Sequence, residues 1–310
     1  MKHTSFCLVA LMVLGLPTAS AQKNGKAKPN TITPLATQGV ADSLLKPILN
    51  QVNFRMIGPS TTSGRIVDIA VNPNNKAEYY LAAAYGGVWK TSNGGTTYEP
   101  IFDSYGTQSI GCLAIDPQNT HIVWVGTGEN NNQRSVGYGN GIYRSLDGGK
   151  SFENMGLKTS EHIGMIKIDP KNSNRVWVAA YGPVWKSGGE RGLYLTEDGG
   201  KTWNNRTPNT TIVPKNTWVY HIEPSRFDKQ VAYAALDGHT QNDLTPYVVK
   251  TTDGGKTWSR LAVNGVKGFV RHIHEDFQSP NLLYLGTEQG LYLSLNGGQE
   301  WFAFTNNMPP

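Results

Sequence analysis

Cysteine is almost missing from this sequence. Cys7 and Cys112 are its only two, and Cys7 lies in an apolar leader, so no disulfide can staple the exported chain. Cys112 sits in the apolar run Ile110-Gly111-Cys112-Leu113-Ala114-Ile115 and reads as a small buried hydrophobe, not a nucleophilic thiol. Charge is scarce too: Asp, Glu, Lys and Arg make up 16% of the residues, poor material for amphipathic helices. No apolar run approaches the roughly 20 residues of a membrane-spanning helix. A Gly-rich phosphate loop leading into a helix is missing, as is a nucleophile elbow, and no cofactor is expected. Nor do the histidines make a metal site. His272 and His274 alternate on one strand face without a nearby third ligand, while His162 and His239 lie in distant loops.

What is present begins with a leader. Lys2 supplies a positive start, Phe6 to Leu16 an apolar stretch, and Ala19-Ser20-Ala21 a small-residue cleavage site. Residues 1–21 therefore read as a signal peptide, with the mature chain starting at Gln22 in the periplasm or outside the cell. Residues 22–50, rich in Lys, Asn, Pro and Thr, read as a flexible linker that ends in a short helix at Leu44, Leu45, Ile48 and Leu49. The pI near 9.0 traces largely to Lys2, Lys23, Lys26, Lys28 and Lys46 in these segments, set against the single acid Asp42. From Gln51 onward the charges nearly balance, which removes the electrostatic case for nucleic-acid binding.

From residue 51 to 310 the sequence repeats. The strings TSNGGTTY, SLDGGKSF, TEDGGKTW, TTDGGKTW and SLNGGQEW place their acid or amide at Asn93, Asp147, Asp198, Asp253 and Asn296. Each is preceded by two β-rich runs, from Arg65–Val71 with Tyr79–Ala84 in the first repeat to Val270–Ile273 with Leu282–Leu285 in the last. A third run leads into the string, as in Gly87-Val88-Trp89-Lys90, and a fourth follows its aromatic residue. Four strands per repeat, in units that must stack to bury their faces, predict an all-β propeller of five four-stranded blades. Asn72-Pro73, Asp116-Pro117 and Asp169-Pro170 punctuate the end of the first strand, where proline fixes a turn.

The repeated string has a structural logic. Its Gly-Gly supplies positive φ. Its Ser or Thr, with the Asp or Asn two residues on, can hydrogen-bond backbone groups across the turn. Tyr98, Phe152, Trp203, Trp258 and Trp301 then offer large faces to fill the space between blades.

These strings resemble the BNR/Asp-box propeller families: sialidases, xyloglucanase-like glycoside hydrolases and the sortilin N-terminal domain. The resemblance covers residues 53–308. NFRMIGPSTTSGRIVDIAVNP and VWVGTGENNNQRSVGYGNGIYRSLDGG look like the opening blades of large secreted bacterial glycosyl hydrolase-like or sortilin-like proteins, and VAYAALDGHTQNDLTPYVVKTTDGGKTW onward is similar to their last blades. It implies a shortened chain, its opening and closing blades joined near Thr196 to Trp203, forming either a closed ring or an incomplete arc. If the ring closes, Asn53 to Ile57 is the segment best placed to add a strand across the seam.

In such propellers the boxes rim one face and ligands bind the other, over the central channel. By that likeness the ligand face carries Arg65, Tyr85, Glu129, Arg134, His162, Tyr181, Trp218, Asp237, His239, Arg271 and Glu288. Two polar loops there, Glu129–Asn140 and Asp237–Pro246, either bind sugar or peptide or merely cover the mouth. Glycoside hydrolysis needs two carboxyl groups about 5–9.5 Å apart, and Glu129, Asp237, Asp243 and Glu288 are the acids on hand. Xyloglucanase-like enzymes carry a catalytic Asp just before the first blade's Gly-Gly, where this chain reads Ala83-Ala84-Tyr85-Gly86-Gly87. Sialidases use an arginine triad, for which Arg65, Arg134 and Arg271 are the available residues; Phe54-Arg55-Met56-Ile57-Gly58-Pro59 resembles their opening Arg motif only loosely. The expected role is binding a glycan, peptide or protein over the channel, as sortilin-like domains do. The alternative is a glycoside hydrolase using Glu129 or Glu288 with Asp237.

Overall fold

Strand-forming residues alternate with glycine-rich turns throughout the repeat region, and they fold into five separate four-stranded antiparallel sheets. The structure, a computed structural model, describes residues 64–131 and 136–304. The expected leader, linker and seam strand at Asn53–Ile57 lie outside the described residues. All five sheets belong to the unit Met56–Pro310. Each is a meander in sequence order. Blade 1 comprises Ile66–Val71, Tyr79–Ala83, Gly87–Thr91 and Glu99–Pro100; blade 2, Ile110–Ile115, Val123–Thr127, Ile142–Ser145 and Glu153–Asn154. Blade 3 comprises Ile163–Asp169, Asn172–Ala180, Gly192–Thr196 and Asn204–Asn205; blade 4, Trp218–Pro224, Ala232–Gly238, Asp243–Thr251 and Ser259–Arg260. Blade 5 comprises Val270–Glu275, Leu283–Thr287, Gly290–Ser294 and Phe302–Phe304. A 3-10 turn at His239–Gln241 is the one helical element among the described residues.

The box turns are built as the sequence predicts. In blade 2, Ser145 Oγ lies 2.7 Å from Asp147 Oδ1 and accepts from Gly149 N at 2.8 Å. Asp147 in turn accepts from Ser151 N at 2.9 Å and from Ser151 Oγ at 2.6 Å. Blades 3 and 4 repeat the pattern around Asp198 and Asp253. Asn93 and Asn296 serve through Oδ1 in blades 1 and 5, receiving Thr97 N at 2.9 Å and Glu300 N at 3.0 Å. The first box glycine of every blade donates to a carbonyl at the junction of that blade's first two strands: Ala77, His121, Asn174, Gln230 and Asn281. The box is thereby fixed to one end of its sheet, and the loops between second and third strands emerge at the other.

The core lies between blades. Tyr80, Phe102, Val123 and Val125 join blades 1 and 2, and Trp124, Ile163 and Val178 join blades 2 and 3. Trp177, Leu193 and Ile222 join blades 3 and 4, while Tyr233, Ile273 and Leu283 join blades 4 and 5. Each box tryptophan also donates its indole N–H back to the preceding blade's outer segment: Trp203 to Met155 O at 2.6 Å, Trp258 to Arg206 O at 2.7 Å, Trp301 to Ala262 O at 3.0 Å. These bonds satisfy a polar handle that burial would otherwise strand. Four inter-blade clusters are formed, and among the described residues no apolar cluster and no hydrogen bond joins blade 5 to blade 1.

One expectation of the loops changes. Asp237–Pro246 is mainly hairpin, not loop: the second and third strands of blade 4 run on until Gly238 pairs with Asp243 across the 3-10 turn. Asp243 is held there by Thr245 N at 3.0 Å and Tyr247 Oη at 2.6 Å. Both of its carboxylate oxygens are engaged in closing the hairpin.

Candidate functional site

The innermost strand of each blade carries a register break near its entry. The breaks fall between Ile66 and Asp68, Ile110 and Cys112, Ile163 and Met165, Val219 and His221, and Val270 and His272. The residues left without a partner are Val67, Gly111, Gly164, Tyr220 and Arg271. A bulge of this kind re-aims a side chain. In blades 2 and 3 the bulged residue is glycine, and a Cβ on Gly164 would collide with the Tyr181 ring. Asn130 Nδ2 donates to Gly111 O at 2.7 Å and pins the blade 2 bulge.

The bulges surround a central cavity of about 430 Å³ to which all five blades contribute, through Asp68, Cys112 with Asn130, Lys167, Tyr220 and His272. One wall is aromatic. Tyr181 stacks on Trp218 with ring centroids 5.7 Å apart and on Tyr220 at 5.5 Å. Arg271 covers the Tyr220 ring at 4.3 Å and the Phe269 ring at 4.6 Å. The rest of the wall is polar. Asp68 accepts from Leu113 N and Ile69 N, both at 2.8 Å, yet burial outweighs these bonds and raises its pKa. His272 is pushed the other way, its pKa lowered by desolvation and then by Lys167 and Arg271. Tyr181 is held protonated by complete burial.

Two clusters flank the cavity. At the junction of blades 1 and 2, Arg65 pairs with Glu129, whose side chain is 1% exposed. Glu129 also accepts from Gly137 N at 3.2 Å, and Tyr85 lies against Gly137. His162 is fully buried, its ring 5.6 Å from Tyr138, with burial lowering its pKa. At the junction of blades 4 and 5, the completely buried Asp237 holds His239 Nδ1 at 2.7 Å and Arg271 Nη1 at 2.9 Å. His239 stacks on Phe269 at 4.9 Å and meets Trp218 edge-on at 6.0 Å. Glu288 is exposed beside Gly268 and belongs to neither ion pair. Arg134 lies outside the described residues.

Of the sequence-predicted residues, Arg65 with Glu129 and Asp237 with His239 and Arg271 thus form two ion-paired groups. Residue-type reasoning missed Asp68, Lys167 and Tyr220 on the cavity wall. Their signal was positional: each lies in the first strand of its blade, the strand that faces the axis. Trp185, exposed on the blade 3 loop between second and third strands, and Tyr138, exposed above His162, add two further aromatic surfaces.

A model of the BNR/Asp-box repeat matches residues 249–260. Over 271 residues the chain is 27% identical to a xyloglucanase of Acetivibrio thermocellus, covering 77% of this chain and 30% of that protein. It is 26% identical over 269 residues to a xyloglucanase of Hypocrea jecorina, covering 76% and 29%. This chain therefore spans about a third of the length of these curated relatives. Among solved structures, it resembles the GH74 xyloglucanase of Xanthomonas campestris with a TM-score of 0.58 at 18% identity, covering 78% of this chain and 38% of that one. The GH74 enzyme of Niastella koreensis gives 0.59 at 22% identity, covering 77% and 38%. With the five box turns and their sheets, these likenesses show a β-propeller fold that carries the BNR/Asp-box repeat.

Proposed function

We propose that this chain is an exported propeller that binds a glycan in the central cavity. One observation carries the reading: the stacked rings of Tyr181 and Tyr220 line the same cavity as hydrogen-bonding groups from separate blades, Asp68, Asn130, Lys167 and His272. Sugar rings present apolar C–H faces and a rim of hydroxyls, and such a cavity offers a surface for each. The cations beside it are already compensated, Arg65 by Glu129, Arg271 by Asp237 and Lys167 by Glu223 at 3.3 Å. Export rests on the leader at residues 1–21.

The test is calorimetric titration of the full chain with xyloglucan and other β-glucan oligosaccharides, beside a peptide library. Saturable glycan binding, weakened at least about tenfold by Tyr220→Ala through loss of roughly 1.4 kcal/mol of contact, is the expected outcome. Peptide binding with no glycan response would overturn it.

A second reading, glycoside hydrolysis, is favoured by the likeness to xyloglucanases. Asp68, whose raised pKa suits a proton donor, would then act with one of the flanking carboxylates. Release of reducing sugar ends that is abolished by Asp68→Asn, while binding is kept, would establish hydrolysis over binding alone.

A further inference from the structure

Among the described residues, the first and last blades present faces of the kind that the other blades bury against each other. On blade 5 the cross-strand register puts His274, Tyr284, Leu293 and Phe302 in one row, and His272, Gly286, Leu291 and Phe304 in the next. Both rows belong to the face turned away from blade 4, because Leu283 and Leu285, on the opposite face, pack in the blade 4–5 core. On blade 1 the outward face carries Ile69, Leu81 and Trp89 in one row, with Val71 and Tyr79 in another. Tyr80, Ala82 and Val88, on the opposite face, pack towards blade 2.

The repeat shows what such faces pack against. Tyr80, Trp124, Trp177 and Tyr233 occupy the same position in the second strand of blades 1 to 4, and all four are fully buried. Tyr80, Trp124 and Trp177 lie against the second glycine of the following box, Gly149, Gly200 and Gly255. Tyr80 Oη and Lys90 Nζ each donate to Gly148 O at 3.0 Å across such a joint. Tyr284 holds this position in blade 5 but is only half-buried, with no box beyond it among the described residues. On blade 1 the Gly94–Gly95 turn likewise receives no aromatic from another blade among the described residues. It is rimmed by Tyr79 and Tyr98, whose hydroxyls lie 2.7 Å apart, and Tyr98 is 41% exposed. Phe302 at 55% and Ile69 at 54% are similarly uncovered.

We propose that the blade 5 face of one copy seats on the blade 1 face of a second copy, reproducing in trans the joint made four times in cis. A second copy is the occupant because the chain itself carries both halves of that joint: an aromatic knob at Tyr284 and a glycine turn at Gly94–Gly95. The contact is head-to-tail, so a pair of copies keeps one unused face of each kind unless the rotation closes a ring. Burial of apolar side chains drives it, and no ion pair is required.

Sedimentation velocity on the full chain over a range of concentrations tests this, together with Ile69→Lys, which blocks the blade 1 face, and Phe302→Lys, which blocks the blade 5 face. Both side chains are more than half exposed, so neither change disturbs a core, and unchanged circular dichroism and melting confirm the fold. The wild-type chain is expected to sediment faster as concentration rises, and each variant alone to remain monomeric. An equimolar mixture of the two variants recovers a dimer, because one intact face of each kind survives in the mixture. A wild-type chain that is monomeric at every concentration, a single variant that associates like the wild type, or a mixture that stays monomeric would each overturn the proposal.

Discussion

Asp237 and Arg271 meet at 2.9 Å across the junction of blades 4 and 5, the carboxylate completely buried and the guanidinium spread over the rings of Tyr220 and Phe269. The pair sets the position of the cavity's aromatic wall. Asp237→Ala leaves Arg271 without its counter-charge and His239 without its anchor. A loss of about 3 kcal/mol is expected, since breaking a buried pair from one side costs more than the pair contributes. Urea denaturation measures it, and glycan affinity should fall in the same variant.

The box aspartates make a prediction about acid. Hydroxyl donation from Ser151 lowers the Asp147 pKa from 3.8 to about 2, and Thr257 does the same for Asp253; Asp198 is lowered further by Thr202. A pKa lower in the folded chain than in the unfolded one means stability that is complete above pH 3.8 and is lost as the pH falls towards 2. Asn93 and Asn296 show that an amide can hold the same turn. The triple variant Asp147→Asn, Asp198→Asn, Asp253→Asn is therefore expected to fold at neutral pH and to show a flatter dependence of melting temperature on pH between 4 and 2. Scanning calorimetry at stepped pH checks this.

Gly200 has φ of +92°, and a Cβ there would stand 2.7 Å from Trp124. Gly200→Ala adds backbone strain to a clash with a fully buried ring. A loss of about 2–4 kcal/mol is expected, the sum of a left-handed penalty and an overpacked core. Gly94→Ala, where an added Cβ meets nothing within 4 Å, should lose only the strain part. Comparing the two by chemical denaturation separates the contributions.

Cys112 is buried, its Sγ 3.6 Å from Ile163 O, and burial pushes its pKa well up. A thiol reagent should therefore label it only on unfolding, at a rate that follows denaturant concentration. Rapid labelling of the native chain would contradict this burial.

The sequence announced the blades because each box is a local device: the Ser or Thr, the Asp or Asn and the two glycines lie within four or five residues and bond one another. Strand positions were legible for the same reason, with Ile110–Ile115 recovered to the residue. The cavity is harder to read. Its residues gather from five blades, and each first-strand bulge interrupts the simple alternation that would aim a residue such as Tyr220 correctly. Arg65–Glu129 joins residues 64 positions apart, and nothing in either residue's neighbourhood encodes its partner. The hairpin at Asp243 was misread as loop because its Asn, Thr and Pro are turn-forming types, whereas pairing with the long strand ahead of it kept the segment extended.

The sequential joints have a consequence for how the molecule comes apart. Among the described residues a blade in the middle is clamped on both sides, whereas blades 1 and 5 are each clamped on one, so loss of structure is cheapest in these two blades and travels inward. Amide hydrogen exchange should accordingly be slowest in Val176–Ala180 and quicken in both directions along the chain, a gradient that a fully cooperative domain would not show.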